Sequence, residues 1–131
     1  MIPKYIDHIV LIVKDVNKTS EFYIKFLGKP ELKNDEEVAF KIGETKLFFV
    51  LPLKEYKLND KDSYSLNHLS FGVTSTEELR EFEQVLNNAK IPNKGIRIDK
   101  YGKKEYVSFD DPDGYRIEFY NRPIEKDNAT Q

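Results

Sequence analysis

The feature that most constrains this chain is a pattern carried twice. "IDHIVLIV" (Ile6 to Val13) and "LNHLSFGV" (Leu66 to Val73) align without a gap at a separation of sixty residues. Ile6 meets Leu66, His8 meets His68, Ile9 meets Leu69, Leu11 meets Phe71 and Val13 meets Val73. At the same separation Glu21 meets Glu81, Phe22 meets Phe82 and Phe26 meets Leu86. Internal repetition of this kind calls for two structural units of one design. The two histidines of the protein therefore occupy equivalent places.

Each half runs strand, polar turn, helix, further strands. "KDVNKTSEFY" and "TSTEELREF" supply the helix starts, with Thr74, Ser75 or Thr76 as caps and Glu77 and Glu78 near the positive helix end. Helices are predicted over 19–27 and 76–88, ended by Gly28-Lys29-Pro30 and by "NNAKIPNKG". Strands are expected over 38–42 and 46–51, and then over 96–98, 104–109 and 115–120, with "IGET" and "DPDG" as turns. The whole chain, 1–131, reads as one domain. Module one covers about 4–52, a linker rich in Lys, Asp and Asn about 53–64, module two about 65–122, and a frayed tail 123–131.

Composition narrows the function. A chain of 131 residues, 39% hydrophobic and 13% aromatic, has material for a core. A net charge of −2 with mixed signs offers no basic stripe, so neither nucleic acid nor an anionic membrane is expected as a partner. The longest apolar run, Ile9 to Val13, is too short to span a bilayer, and no signal-peptide pattern precedes it. The absence of cysteine removes disulfides, thiolate metal sites and cysteine nucleophiles, and a cytoplasmic location is the default expectation.

Strand parity then sorts the side chains, because successive residues point to opposite faces. Ile9, Leu11 and Val13 share the face that packs on a helix; His8, Val10 and Ile12 point away. In the second half Leu69, Phe71 and Val73 face the helix, opposite His68, Ser70 and Gly72. In the last strand Tyr115, Ile117 and Phe119 form the apolar set, and Arg116, Glu118 and Tyr120 oppose it. His8, His68 and Glu118 thus all lie on faces turned from the helices. Two histidines and one carboxylate make a site for a divalent transition metal with open coordination positions.

"IDHIVLIVKDVNKTSEFYIKFLG" and "YVSFDDPDGYRIEFYN" resemble the opening and closing signatures of the vicinal oxygen chelate superfamily, which includes glyoxalase I, extradiol dioxygenases, methylmalonyl-CoA epimerase, fosfomycin-resistance transferases and bleomycin-resistance proteins. The resemblance runs from about Tyr5 to Asn121. It implies an α+β fold of two βαβββ modules, with cupped mixed sheets and the helices outside. It also implies His8, His68 and Glu118 as ligands to one divalent metal per site (Fe, Mn, Co, Ni or Zn), and a homodimer. The linker is long enough for a site within one chain or one shared between subunits, and the shared arrangement is the one expected.

The individual activities within that group fit less closely. The fourth ligand of glyoxalase I and the epimerase would fall at Phe48, since "KLFF" matches "RIEF". The acid-base histidine of the dioxygenases has no counterpart, and their tyrosine before the DP turn is replaced by Ser108, with Tyr106 two residues earlier. The Thr or Cys of fosfomycin transferases is replaced by Val10, and their Arg after the last glutamate is missing, with Asp127 near that spacing. Phe48, Val50, Tyr106, Ser108 and Tyr120 share the inward parity and are expected to line the substrate site. Arg97, Lys103 and Lys104 offer positive charge to an anionic substrate. The expectation is a metal-dependent enzyme, whether lyase, dioxygenase, isomerase or transferase, acting on a small oxygen-rich molecule. The rival is a metal-free binding or drug-sequestering protein of the bleomycin-resistance type.

Overall fold

The computed structural model describes residues 1–52 and 66–124. The expected linker over 53–64 and the tail from 125 onward, Asp127 included, lie outside the described residues. The described chain divides into two compact units, residues 1–52 with Asp111–Gly114 and residues 66–110 with 115–124.

The first unit contains β1 (His8–Ile12), α1 (Val16–Leu27), β2 (Leu32–Lys33), β3 (Glu37–Ile42) and β4 (Thr45–Val50). Its sheet order is β1-β4-β3-β2, with β1 parallel to β4 and the other pairs antiparallel. The second repeats the plan with β5 (Leu69–Val73), α2 (Thr76–Asn88), β6 (Arg97–Ile98), β7 (Glu105–Asp110) and β8 (Arg116–Asn121), in the order β5-β8-β7-β6. The architecture is α+β, βαβββ twice, as the resemblance implied.

Local chemistry sets the helix limits. Ser75 caps α2: its hydroxyl accepts from the Glu78 amide at 3.1 Å, and Glu78 accepts from the Thr74 amide at 3.0 Å, a reciprocal cap. Helix α1 begins three residues before the predicted Thr19. Asp15 is the cap, its carboxylate accepting from the Lys18 amide at 3.1 Å. Gly28 ends this helix at φ +75°, a conformation that a side chain disfavours. The short β2 was not anticipated, since two residues carry no readable period.

Each sheet buries the predicted face. Leu11, Val13, Leu47 and Phe49 are buried in the first unit, and Val73, Val107, Phe109, Ile117 and Phe119 in the second. The helices reach these faces differently. Phe82 of α2 stacks on Phe119 with centroids 4.1 Å apart, but in α1 it is Tyr23, one position beyond the repeat partner of Phe82, that stacks on Phe49 at 4.4 Å. Tyr23 is fully buried, and its hydroxyl donates to Asp111 at 2.7 Å. The "DPDG" turn supplies a second buried carboxylate, Asp113, which accepts from the Lys14 amide at 2.9 Å and from the Thr19 hydroxyl at 3.5 Å. Buried carboxylates persist because they are hydrogen-bonded in this way.

Candidate metal and substrate site

The faces turned from the helices are concave in both units. In the second, a cavity of about 500 Å³ is lined by His68, Lys94, Arg97, Tyr106, Ser108 and Glu118 among others. An adjoining cavity of about 420 Å³ shares His68 and Glu118 and adds Ser70, Asp99, Tyr120 and Arg122. His68 immediately precedes β5, and Glu118 lies on β8 beside Ser70 of β5 and Ser108 of β7. His68 Nε2 stands 3.6 Å from Glu118 Oε1; the histidine side chain is 42% exposed and the glutamate only 13%.

The other ring nitrogen decides what Nε2 can do. His68 Nδ1 lies 2.7 Å from Asn67 Oδ1, and an amide oxygen only accepts, so Nδ1 is the donor of this bond. In the neutral ring that leaves the Nε2 lone pair on the side of the Glu118 carboxylate. In that form a nitrogen and an oxygen donor atom stand together, an arrangement that a cation between them satisfies. Imidazole nitrogen and carboxylate oxygen are the donor types that borderline divalent transition metals accept, so this pair fits such an ion.

Beside the pair runs a layered wall. Arg97 lies over the Tyr106 ring at 5.2 Å, Tyr106 stacks on Tyr120 at 6.3 Å, and Arg122 covers Tyr120 at 5.0 Å. Arg97 also donates to Ser108 Oγ at 3.3 Å. The Tyr120 hydroxyl is already committed, donating to Asp99 Oδ2 at 2.8 Å. That bond, joined by the amides of Tyr101 and Gly102, holds the Asp99 carboxyl below its usual range. Partial burial, with the same bond, holds the Tyr120 hydroxyl above its usual value, so it stays a neutral donor. Gly102 leaves room for this bond, because a Cβ there would meet the Tyr120 hydroxyl and displace it.

The first unit presents the counterpart. A cavity of about 380 Å³ is lined by Asp7, His8, Val10, Glu37, Lys46, Phe48 and Val50. Val10 pairs with Phe48 as Ser70 pairs with Glu118, so Phe48 and Glu118 are equivalent in register as well as in sequence. The Phe48 ring meets His8 at 5.9 Å in a T-shaped contact where the second unit has its carboxylate. His8 Nδ1 lies 2.8 Å from Asp7 Oδ2.

Of the residues proposed from sequence, His68, Glu118, Tyr106 and Ser108 come together around one cavity, with Tyr120 at the adjoining one. His8, Phe48 and Val50 come together in the first unit. Among the described residues no group of three or more His, Asp or Glu side chains is placed to hold a metal. Arg97 reaches the larger cavity, whereas Lys103 and Lys104 do not line it; Lys94 and Arg116 do. Asp7, Asn67, Glu37 and Asp99 were not foreseen. Asp7 and Asn67 could have been found, since the repeat itself aligns the two residues that precede the histidines.

The chain is similar in sequence and fold to known proteins. FosX of Listeria monocytogenes, a fosfomycin resistance protein, is 26% identical over 125 residues, covering 92% of each chain. Its crystal structure matches with a TM-score of 0.71, covering 94% of this chain and 97% of FosX at 25% identity. FosB of Lysinibacillus sphaericus, a metallothiol transferase, is 23% identical over 120 residues, which span 92% of this chain and 84% of FosB. A glyoxalase family protein from Enterococcus faecalis gives a TM-score of 0.73 at 25% identity, covering 90% of this chain and 98% of its own. The family model described as the Glyoxalase/Bleomycin resistance protein/Dioxygenase superfamily matches residues 5–119. With twin βαβββ units, histidines at equivalent strand starts and a match over most of its length, the chain belongs to that superfamily.

Proposed function

We propose that this chain is a divalent-metal-dependent enzyme acting on a small, oxygen-rich, anionic molecule, with His8, His68 and Glu118 as the metal ligands. The observation that carries the reading is the approach of His68 Nε2 to Glu118 Oε1, a nitrogen and an oxygen of metal-ligating type 3.6 Å apart at the cavity. The kinship with a metallothiol transferase and a fosfomycin resistance protein supports the same class of chemistry. When bound, the ion supplies chelation of neighbouring oxygens and stabilisation of negative charge that develops on them.

The chain's own residues do the rest. Glu118, largely removed from water, provides the negative charge that a divalent ion needs. Arg97, braced by Tyr106 and Ser108, orients an anionic group of the substrate, and among the described residues no carboxylate pairs with it. Lys94 and Arg116 add positive charge to the same cavity. The Tyr106–Tyr120 stack forms an aromatic wall beside the pair. Phe48 keeps the equivalent of the Glu118 position apolar, which removes the fourth ligand that glyoxalase I-type chemistry would use.

Metal analysis of protein purified without chelators, followed by calorimetric titration of the stripped protein, tests the proposal. About one ion per chain is expected, from the set Fe, Mn, Co, Ni and Zn. Because outer-sphere partners alone are worth about 10–100-fold in affinity, losing the anionic ligand in Glu118→Gln should weaken binding by about 100-fold or more. No binding by the unmodified protein, or unchanged affinity in the variant, would instead favour a metal-free binding protein.

A further inference from the structure

Each histidine is preceded by a residue that binds its ring. Asp7 Oδ2 accepts a hydrogen bond from His8 Nδ1 at 2.8 Å, and Asn67 Oδ1 accepts one from His68 Nδ1 at 2.7 Å. The two residues are partners in the repeat, sixty positions apart, yet one is an anion and the other neutral. Charge is therefore not what the two sites share. They share an oxygen that accepts and cannot donate, held within hydrogen-bond reach of the same ring atom.

An exposed pair of this kind contributes little to stability. The Asp7 side chain is 77% exposed and that of His8 53%, so solvent screens their attraction. What the contact bears on is the tautomer. A neutral imidazole carries one proton, and an acceptor at Nδ1 keeps it there, leaving the lone pair on Nε2. In the second unit that lone pair faces Glu118. The backbone of Asp7 is itself fixed, its carbonyl accepting from the Lys46 amide at 2.9 Å.

We infer that Asp7 and Asn67 are positioning residues that lock His8 and His68 in the Nδ1–H tautomer and so deliver Nε2 as the metal-binding atom of each. The tautomer assignment stands on geometry alone; its use in metal binding rests on the proposed function.

Nitrogen-15 NMR of the histidine rings in the full metal-free chain, under conditions where the imidazoles are neutral, reads the tautomer directly. Both rings should show the Nδ1–H form. Asp7→Ala should shift only His8, and Asn67→Ala only His68, toward the Nε2–H form that dominates for histidine in water. Asp7→Asn and Asn67→Asp, which keep an acceptor, should restore the original spectrum. Titration of the same variants with manganese(II) or zinc(II) should show about 10- to 100-fold weaker binding for the alanine variants alone. Unchanged melting temperatures would confirm that folding is intact, a readout that a merely structural role would move. The inference is overturned by unaltered ring spectra in the alanine variants, by failure of the acceptor-keeping variants to rescue, or by a tautomer shift without a loss of affinity. If the unmodified protein shows the locked tautomers but binds no metal, the metal reading falls and the tautomer control stands.

Discussion

At the scale of single residues, the site is governed by which hydrogen-bonding atoms are already committed. Tyr120 looks from sequence like a hydroxyl offered to substrate, yet its proton goes to Asp99. The consequence is electrostatic. The Tyr120 bond is the largest influence holding the Asp99 carboxyl below its usual range, ahead of the Tyr101 and Gly102 amides. Tyr120→Phe should therefore raise the Asp99 pKa toward the ordinary aspartate value, which a carbon-13 NMR titration would register. A carboxyl depressed in the folded state adds stability that is present above the unfolded-state pKa and lost as pH falls through the folded one. The part of the variant's deficit due to ionised Asp99 should accordingly be seen at neutral pH and fade across that acid window. An unmoved Asp99 titration in the variant would show that the backbone amides suffice.

At the scale of elements, two helices of one repeat serve different neighbours. Both start at equivalent positions, Val16 and Thr76, and both lie on an apolar sheet face. Only α1 must also satisfy buried carboxylates, and it does so by turning Tyr23 inward over Phe49 where α2 uses Phe82 over Phe119. The Tyr23 hydroxyl then reaches Asp111. Tyr23→Phe keeps the ring stacking and removes that donor, so it should cost about 1.5–3 kcal/mol, the range for a hydrogen bond to a charged group. Urea unfolding should show a lower midpoint with an unchanged slope. An unaltered midpoint would mean that the Asp111 carboxylate is satisfied without the tyrosine.

At the scale of the whole molecule, each unit supplies part of the proposed ligand set: His8 in the first, His68 and Glu118 in the second. The proposed shared-site homodimer has a direct test. Mixed dimers of a His8→Ala chain and a Glu118→Gln chain should recover metal binding at one of two sites if ligands come from both copies, whereas no recovery in verified mixed dimers would place each site within one chain. Much of this protein was determined locally and is legible in its sequence. The sixty-residue repeat set the number of units, because each copy carries the whole local pattern of one unit, and strand alternation set which side chains turn from the helices, because it depends only on near neighbours along the chain. The α2 limits, 76–88, were readable for the same reason, as Ser75 and Glu78 cap within one turn. Tertiary structure alone decided that Tyr23 rather than Phe22 stacks on the sheet, that "DPDG" buries two carboxylates against α1, and that the Tyr120 proton belongs to Asp99. The hydrogen bonds among these outcomes join residues 94, 88 and 21 positions apart, and a bond between distant groups leaves no periodic trace in the sequence.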